Sequence, residues 1–178
     1  MIHPNAYIAP GAIVLGEVHL GRDSSIWYQT VVRGDTEVIR IGESTNIQDL
    51  SMVHADPGFP CVIGDRVTVG HRVILHGCMV ENDSLIGMGA ILLNGVRIGK
   101  GSVVGAGALL TEGKEYPPNS LIVGAPGRVI REVDDELRKR IDHSWRHYAE
   151  NARKHRRGEF PLKSVPMAVA DHDEQGKG

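Results

Sequence analysis

The chain has 178 residues, 41% of them hydrophobic and 4% aromatic, with a formal charge of −2 at pH 7. That is enough apolar material for one main core without disulfide support, and it leaves no basic surplus to neutralise phosphates, so no nucleic-acid partner is expected. The opening MIHPNAYIAP has neither a basic n-region nor a long apolar run, and no window approaches the roughly 20 apolar residues of a membrane span, so a cytoplasmic protein without a membrane partner is expected.

From residue 14 onward an aliphatic side chain recurs at every sixth position. The series runs Val14, Leu20, Ile26, Val32; then Ile41, Ile47, Val53; then Ile63, Val69, Leu75; then Val80, Ile86, Leu92, Ile98, Val104 and Leu110. The residue two before each is generally small, as at Ala12, Ser24, Thr30, Ser51, Cys61, Cys78 and Ala90. The residue just after is often glycine, as at Gly42 and Gly87, where a tight corner is expected to tolerate no Cβ. A helical period of 3.6 cannot produce such a series. One aliphatic and one small inward residue per six suits a short strand plus a corner, and stacked units of this kind form a parallel β-helix with three hexads per triangular coil, expected over residues 1–130.

Three interruptions break the count: three extra residues around 37–40, four extra around 55–60, and one missing between Leu75 and Val80. Insertions in solenoids usually become loops on one face, often the binding face. Cys61 and Cys78 fall on small inward positions of successive coils, about 4.8 Å apart by the strand spacing, and read as buried free thiols in a reducing compartment. After the last coil Asp134 is placed as an N-cap for a helix within 131–157, with Leu137, Ile141, Trp145 and Tyr148 along one stripe. Its basic end, Arg153 to Arg157, reads as solvated, and residues 158–178, polar and without period, are expected to form a flexible tail.

The register places polar residues on faces. Coils repeat every three hexads, so the residues following Val32, Val53 and Leu75 stack, and Arg33, His54 and His76 form one ladder. His54 and His76 are then about 4.8 Å apart, close enough to share a metal. On the next face, Asp49 lies beneath His71 with Gln48 beside them. His71 is around a corner from the other two and cannot reach their metal within one chain. A second copy presenting its His71 face to the His54/His76 face completes a triad, and repeating that contact closes a ring when the rotation is about 120°. This predicts a homotrimer with three intersubunit sites. Three neutral imidazoles leave a fourth zinc position open to water, whose pKa such a metal can lower to about 7; Fe2+ or Co2+ would also suit the site.

VVRGD at 31–35, NIQD at 46–49, the single His54, GHRVILHGC at 70–78 and GMGA at 87–90 resemble the γ-class carbonic anhydrase-like family, over roughly residues 1–130. The resemblance implies an all-β, left-handed parallel β-helix of hexapeptide repeats with a C-terminal α-helix. It implies reversible hydration of CO2 to bicarbonate, with Zn2+ held by His54 and His76 of one chain and His71 of its neighbour. Gln48 would orient the metal-bound water, Arg33 would pair with Asp49 across the interface, and Asp35 and Asn46 would belong to the supporting polar network. The chain departs from the founding archaeal enzymes, which carry a glutamate after the aspartate of RGD and another in an acidic loop after the first histidine; here stand Thr36 and the short loop Ala55-Asp56-Pro57-Gly58. Asp56 is a candidate proton relay, Asn94 lies one coil above His76, and Tyr148 is placed for packing. Two further readings are a hexapeptide-family acyl-CoA acyltransferase or thioesterase, and a non-catalytic trimeric scaffold subunit.

Overall fold

The computed structural model describes residues 1–163, which form a left-handed parallel β-helix followed by a single helix, α1 (Asp135–Arg156). The six-residue period appears as strands of mostly two or three residues that stack in parallel, coil upon coil. Three columns of inward side chains run along the prism. One holds Val14, Val32, Val53, Leu75, Leu92 and Leu110. A second holds Ile26, Ile47, Val69, Ile86, Val104 and Ile122. The third holds Leu20, Ile41, Ile63, Val80 and Ile98, and ends on Tyr116. The whole aliphatic series is buried except Val14, which is partly buried in the first coil.

Each inward side chain packs on the one above and the one below, and the ladder hydrogen bonds keep the coils from collapsing around a void. Leu75 is fully buried directly before His76. Leu75→Ala is therefore expected to cost about 2–5 kcal/mol, read as a lower urea midpoint at unchanged m-value.

The glycines after the aliphatic positions are required for a different reason from a strained corner. A Cβ on Gly87 would lie 2.5 Å from the Ala106 amide nitrogen, and one on Gly42 would lie 2.5 Å from the Gly64 carbonyl carbon. Coil-to-coil stacking excludes the side chain there. The left-handed backbone falls two residues later, at Gly89 but also at Asp23, Ser44, Arg66 and Asp83.

The interruptions sit where the chain leaves the repeat. Gly34 pairs with Gly16 and Ile39 with Val18, so Asp35, Thr36, Glu37 and Val38 together face Glu17 alone, slightly earlier than the period suggests. The 55–60 loop closes on itself through Phe59 N donating to Asp56 O at 2.9 Å. It is tied to that bulge by Gly58 N donating to Glu37 Oε2 at 3.2 Å. Both extra segments thus meet beside His54. Cys61 and Cys78 are buried free thiols on adjacent coils, and the contact with Cys61, together with burial, holds the Cys78 thiol pKa well above its usual range.

Asp134 caps α1, its Oδ1 accepting from Leu137 N at 2.9 Å. Ile141 is buried as expected, but the deepest contacts of the second half come from Ala149 and Ala152. The small side chain of Ala152 lets the helix approach Tyr7, Ala9 and Trp27 closely. The basic end is not simply solvated: Arg153 pairs with Asp23 at 3.3 Å, and the His155 ring stands edge-on to Trp27 at 5.0 Å. Phe160 in turn packs on His155 at 4.9 Å. The remainder of the expected tail, residues 164–178, lies outside the described residues. Among the described residues no helix is long and apolar enough to cross a membrane.

Candidate metal centre

The strands Met52–His54 and Ile74–His76 are neighbours in register, with His54 opposite His76. Their side chains leave the coils at one corner, His54 Nδ1 standing 3.1 Å from His76 Nε2. Which protons the rings carry follows from what lies behind them. Asn94 Nδ2 donates to Asp56 Oδ2 at 2.9 Å, because a carboxylate only accepts. The amide oxygen of Asn94 therefore faces His76 Nδ1, 2.9 Å away, and that nitrogen must donate. On the other side His54 Nε2 lies 3.2 Å from Asp35 Oδ1. Arg33 reaches both oxygens of Asp35, at 2.9 and 2.8 Å, and this hydrogen bonding holds the Asp35 carboxyl below the usual carboxylate range. Asp35 is an acceptor as well, so His54 Nε2 donates.

A neutral imidazole that donates from one nitrogen carries a lone pair on the other. With both rings neutral, His54 Nδ1 and His76 Nε2 confront each other as two lone pairs at 3.1 Å, a contact that a shared proton or a shared cation relieves. Carboxylate and amide partners behind ligating histidines are the arrangement that fixes tautomer and ring orientation at metal sites. Asp56 stands at the same corner, Oδ1 3.9 Å from His76 Nε2, and ligand atoms of His54, Asp56 and His76 all lie within 4.8 Å of one another. Among the described residues no other trio of His, Cys, Asp or Glu side chains gathers so closely.

His71 stands apart from this group. It follows the strand Thr68–Val69 on another face, with Nδ1 2.7 Å from Asp49 Oδ2. The other oxygen of Asp49 accepts from Tyr28 N at 3.2 Å. Within one chain, then, Arg33 is engaged by Asp35 and Asp49 by His71. Gln48 is buried, its Nε2 donating to Asn46 Oδ1 at 3.1 Å, while Asn46 Nδ2 donates to Thr68 Oγ1 at 3.0 Å. Gln48, His71, Met88, Arg140 and Tyr148 line a cavity of about 350 Å³ between the β-helix and α1. Burial and the Asp49 charge push the Tyr148 hydroxyl pKa up, and its ring packs edge-on to Trp27 at 5.4 Å, the packing role its stripe position predicts.

Residues 77–112 match the family profile for the bacterial transferase hexapeptide (six repeats). The "Probable carbonic anhydrase" of Methanocaldococcus jannaschii is 57% identical over 141 residues, spanning 79% of this chain and 89% of that protein. Gamma carbonic anhydrase 1 of Arabidopsis thaliana mitochondria is 43% identical over 161 residues, 87% of this chain but 58% of the longer plant protein. A solved hexapeptide transferase family protein from Anaplasma phagocytophilum superposes with a TM-score of 0.82 at 39% identity, covering 85% of this chain and 90% of the other. With the repeat, the fold and identities of this size over most of its length, the chain belongs to the γ-carbonic-anhydrase-like family of hexapeptide-repeat β-helix proteins.

Proposed function

We propose that this chain is a metal-dependent enzyme that hydrates CO2 reversibly to bicarbonate, working as a homotrimer in the cytoplasm. In each site His54 and His76 of one chain and the partner subunit's His71 would hold a zinc-type ion, with Fe2+ or Co2+ as alternatives. The observation that carries the reading is the approach of His54 Nδ1 to His76 Nε2 at 3.1 Å, with Asp35 and Asn94 engaging the far nitrogen of each ring. When bound, such an ion makes water a nucleophile near neutral pH by lowering its pKa to about 7.

The rest of the work falls to the chain's own groups. Asn94 and Asp35 accept from the far nitrogens of the two rings and so orient the facing nitrogens to ligate, and Asn94→Ala is expected to weaken metal binding by about 10–100-fold, measured by competition against a chromogenic chelator. Gln48, held at its Nε2 end by Asn46, presents its carbonyl end to orient the attacking water. Gln48→Ala is expected to keep the metal and lower kcat/KM for hydration on the order of a hundredfold, the scale of loss from misplacing a reactant. Metal lost together with activity would assign Gln48 to holding the site instead.

The test of the reaction is stopped-flow CO2 hydration on metal-quantified protein, loaded with zinc or with ferrous iron, beside a chelated control. Hydration that vanishes on chelation supports the reading, and full metal loading without hydration sinks it. A second reading, acyl transfer or hydrolysis with an acyl-CoA, is favoured by the matched transferase repeat profile and by the cavity of about 350 Å³ beside His71 with Arg140 on its rim. Release of free thiol from acyl-CoA would support it; thiol release abolished by chelation would place that chemistry on the same metal.

A further inference from the structure

We infer that Asp56 is an exchangeable third ligand: one chain holds a divalent cation through His54, His76 and Asp56, and gives up the carboxylate when the partner subunit's His71 arrives. The inference rests on the reading of His54 and His76 as metal ligands and adds to it a residue and an order of events. Nitrogen and oxygen donors around a tetrahedral zinc stand about 3.3–3.5 Å from one another. The pairs here, 3.1 Å from His54 Nδ1 to His76 Nε2 and 3.9 Å from His76 Nε2 to Asp56 Oδ1, bracket that spacing. With all three ligand atoms within 4.8 Å of one another, an inward movement of the carboxylate on the order of 1 Å would close the set around one ion.

Asp56 can make that movement. It belongs to the insertion between the strands Met52–His54 and Cys61–Ile63, outside the ladder, and its side chain is about half exposed at 49%. Asn94 steers it: Nδ2 of that amide holds Asp56 Oδ2 while its Oδ1 accepts from His76 Nδ1. One side chain thus frees the His76 lone pair and leaves the second oxygen of Asp56 beside it. Gly77 makes room for this, since a Cβ there would overlap Asn94 Oδ1.

Two imidazoles and a carboxylate with open positions form a donor set suited to Zn2+, Co2+ and Fe2+, and the carboxylate offsets half of the cation's charge in a chain that has yet to find its neighbours. Arrival of an imidazole does not strand the displaced anion, because the Asn94 amide still donates to it. Metal loading would then precede ring closure.

The test titrates the full-length apo chain with Co2+, following the visible absorption and the heat of binding. His71→Ala is expected to bind about one Co2+ per chain, more weakly than the unsubstituted chain. Adding Asp56→Asn to that background is expected to weaken binding at least about tenfold further, and adding Asp56→His to tighten it at least about tenfold, a gain no folding defect can imitate. Asp56→Asn alone is expected to leave the affinity of the assembled protein within about threefold. Equal affinity with and without Asp56→Asn in the His71→Ala chain, or no Co2+ binding by His71→Ala at all, would overturn the proposal. Undiminished Co2+ binding by His54→Ala would instead remove the underlying site, and the Asp56 role with it.

Discussion

His76→Ala is expected to abolish tight metal binding while leaving the fold in place, and with the metal the CO2 hydration. Partners behind a ligating histidine contribute about 10–100-fold in affinity; loss of the ligand itself is expected to exceed that, about a thousandfold or more. The fold survives because His76 ends its strand, is only partly buried, and gives the structure one hydrogen bond, to Asn94, worth about 1 kcal/mol. The column beneath it, Val53, Leu75 and Leu92, is untouched. Thermal unfolding with and without zinc separates the two effects. Zinc at a hundred times its dissociation constant stabilises the unsubstituted protein by about 2.7 kcal/mol, so its Tm is expected to rise on adding zinc while that of His76→Ala stays still. An equal zinc-induced rise in both proteins would exclude His76 from the site.

The parts of this fold that could be read in advance are those the period controls. A six-residue repeat dictates which side chains point inward, so the aliphatic columns, the adjacent thiols and the stacking of His54 on His76 follow from counting. What points outward is chosen by neighbours in space. Asp35 and Asp56 both sit in the interruptions, where no period runs, so their approach to His54 and His76 could not be counted; only the adjacency of two insertions to one histidine hinted at it. The corner glycines were legible as positions without Cβ, but the cause lies in the next coil rather than in the local backbone. The helix stripe found Ile141, yet close packing of the second half falls on Ala149 and Ala152, with His155 beyond them among Tyr7, Trp27 and Tyr28. Alanine carries little weight in a hydrophobic pattern, and it is selected there because it lets two surfaces come near.

His71→Ala and His54→Ala are each expected to lose tightly held metal and activity, and mixing the two inactive proteins is expected to restore part of both. His71 lies on a different face from the His54/His76 corner and is anchored there by Asp49 at 2.7 Å, so in the proposed ring each site draws on two chains. The His71→Ala chain keeps an intact His54/His76 corner, and the His54→Ala chain keeps an intact His71. In a cyclic trimer containing both, one of the three interfaces joins the intact halves, whichever chain is in the majority. Equal amounts, dissociated and reassembled at random, give mixed rings in about three quarters of trimers, so about one quarter of all sites recover. The measurement is zinc retained against a competing chelator, together with the CO2 hydration rate, before and after reassembly. Recovery near a quarter requires a site shared between chains in a ring with a fixed direction. No recovery, in reassembled trimers verified to contain both chains, would mean that His71 acts only within its own subunit, and the intersubunit triad would be abandoned.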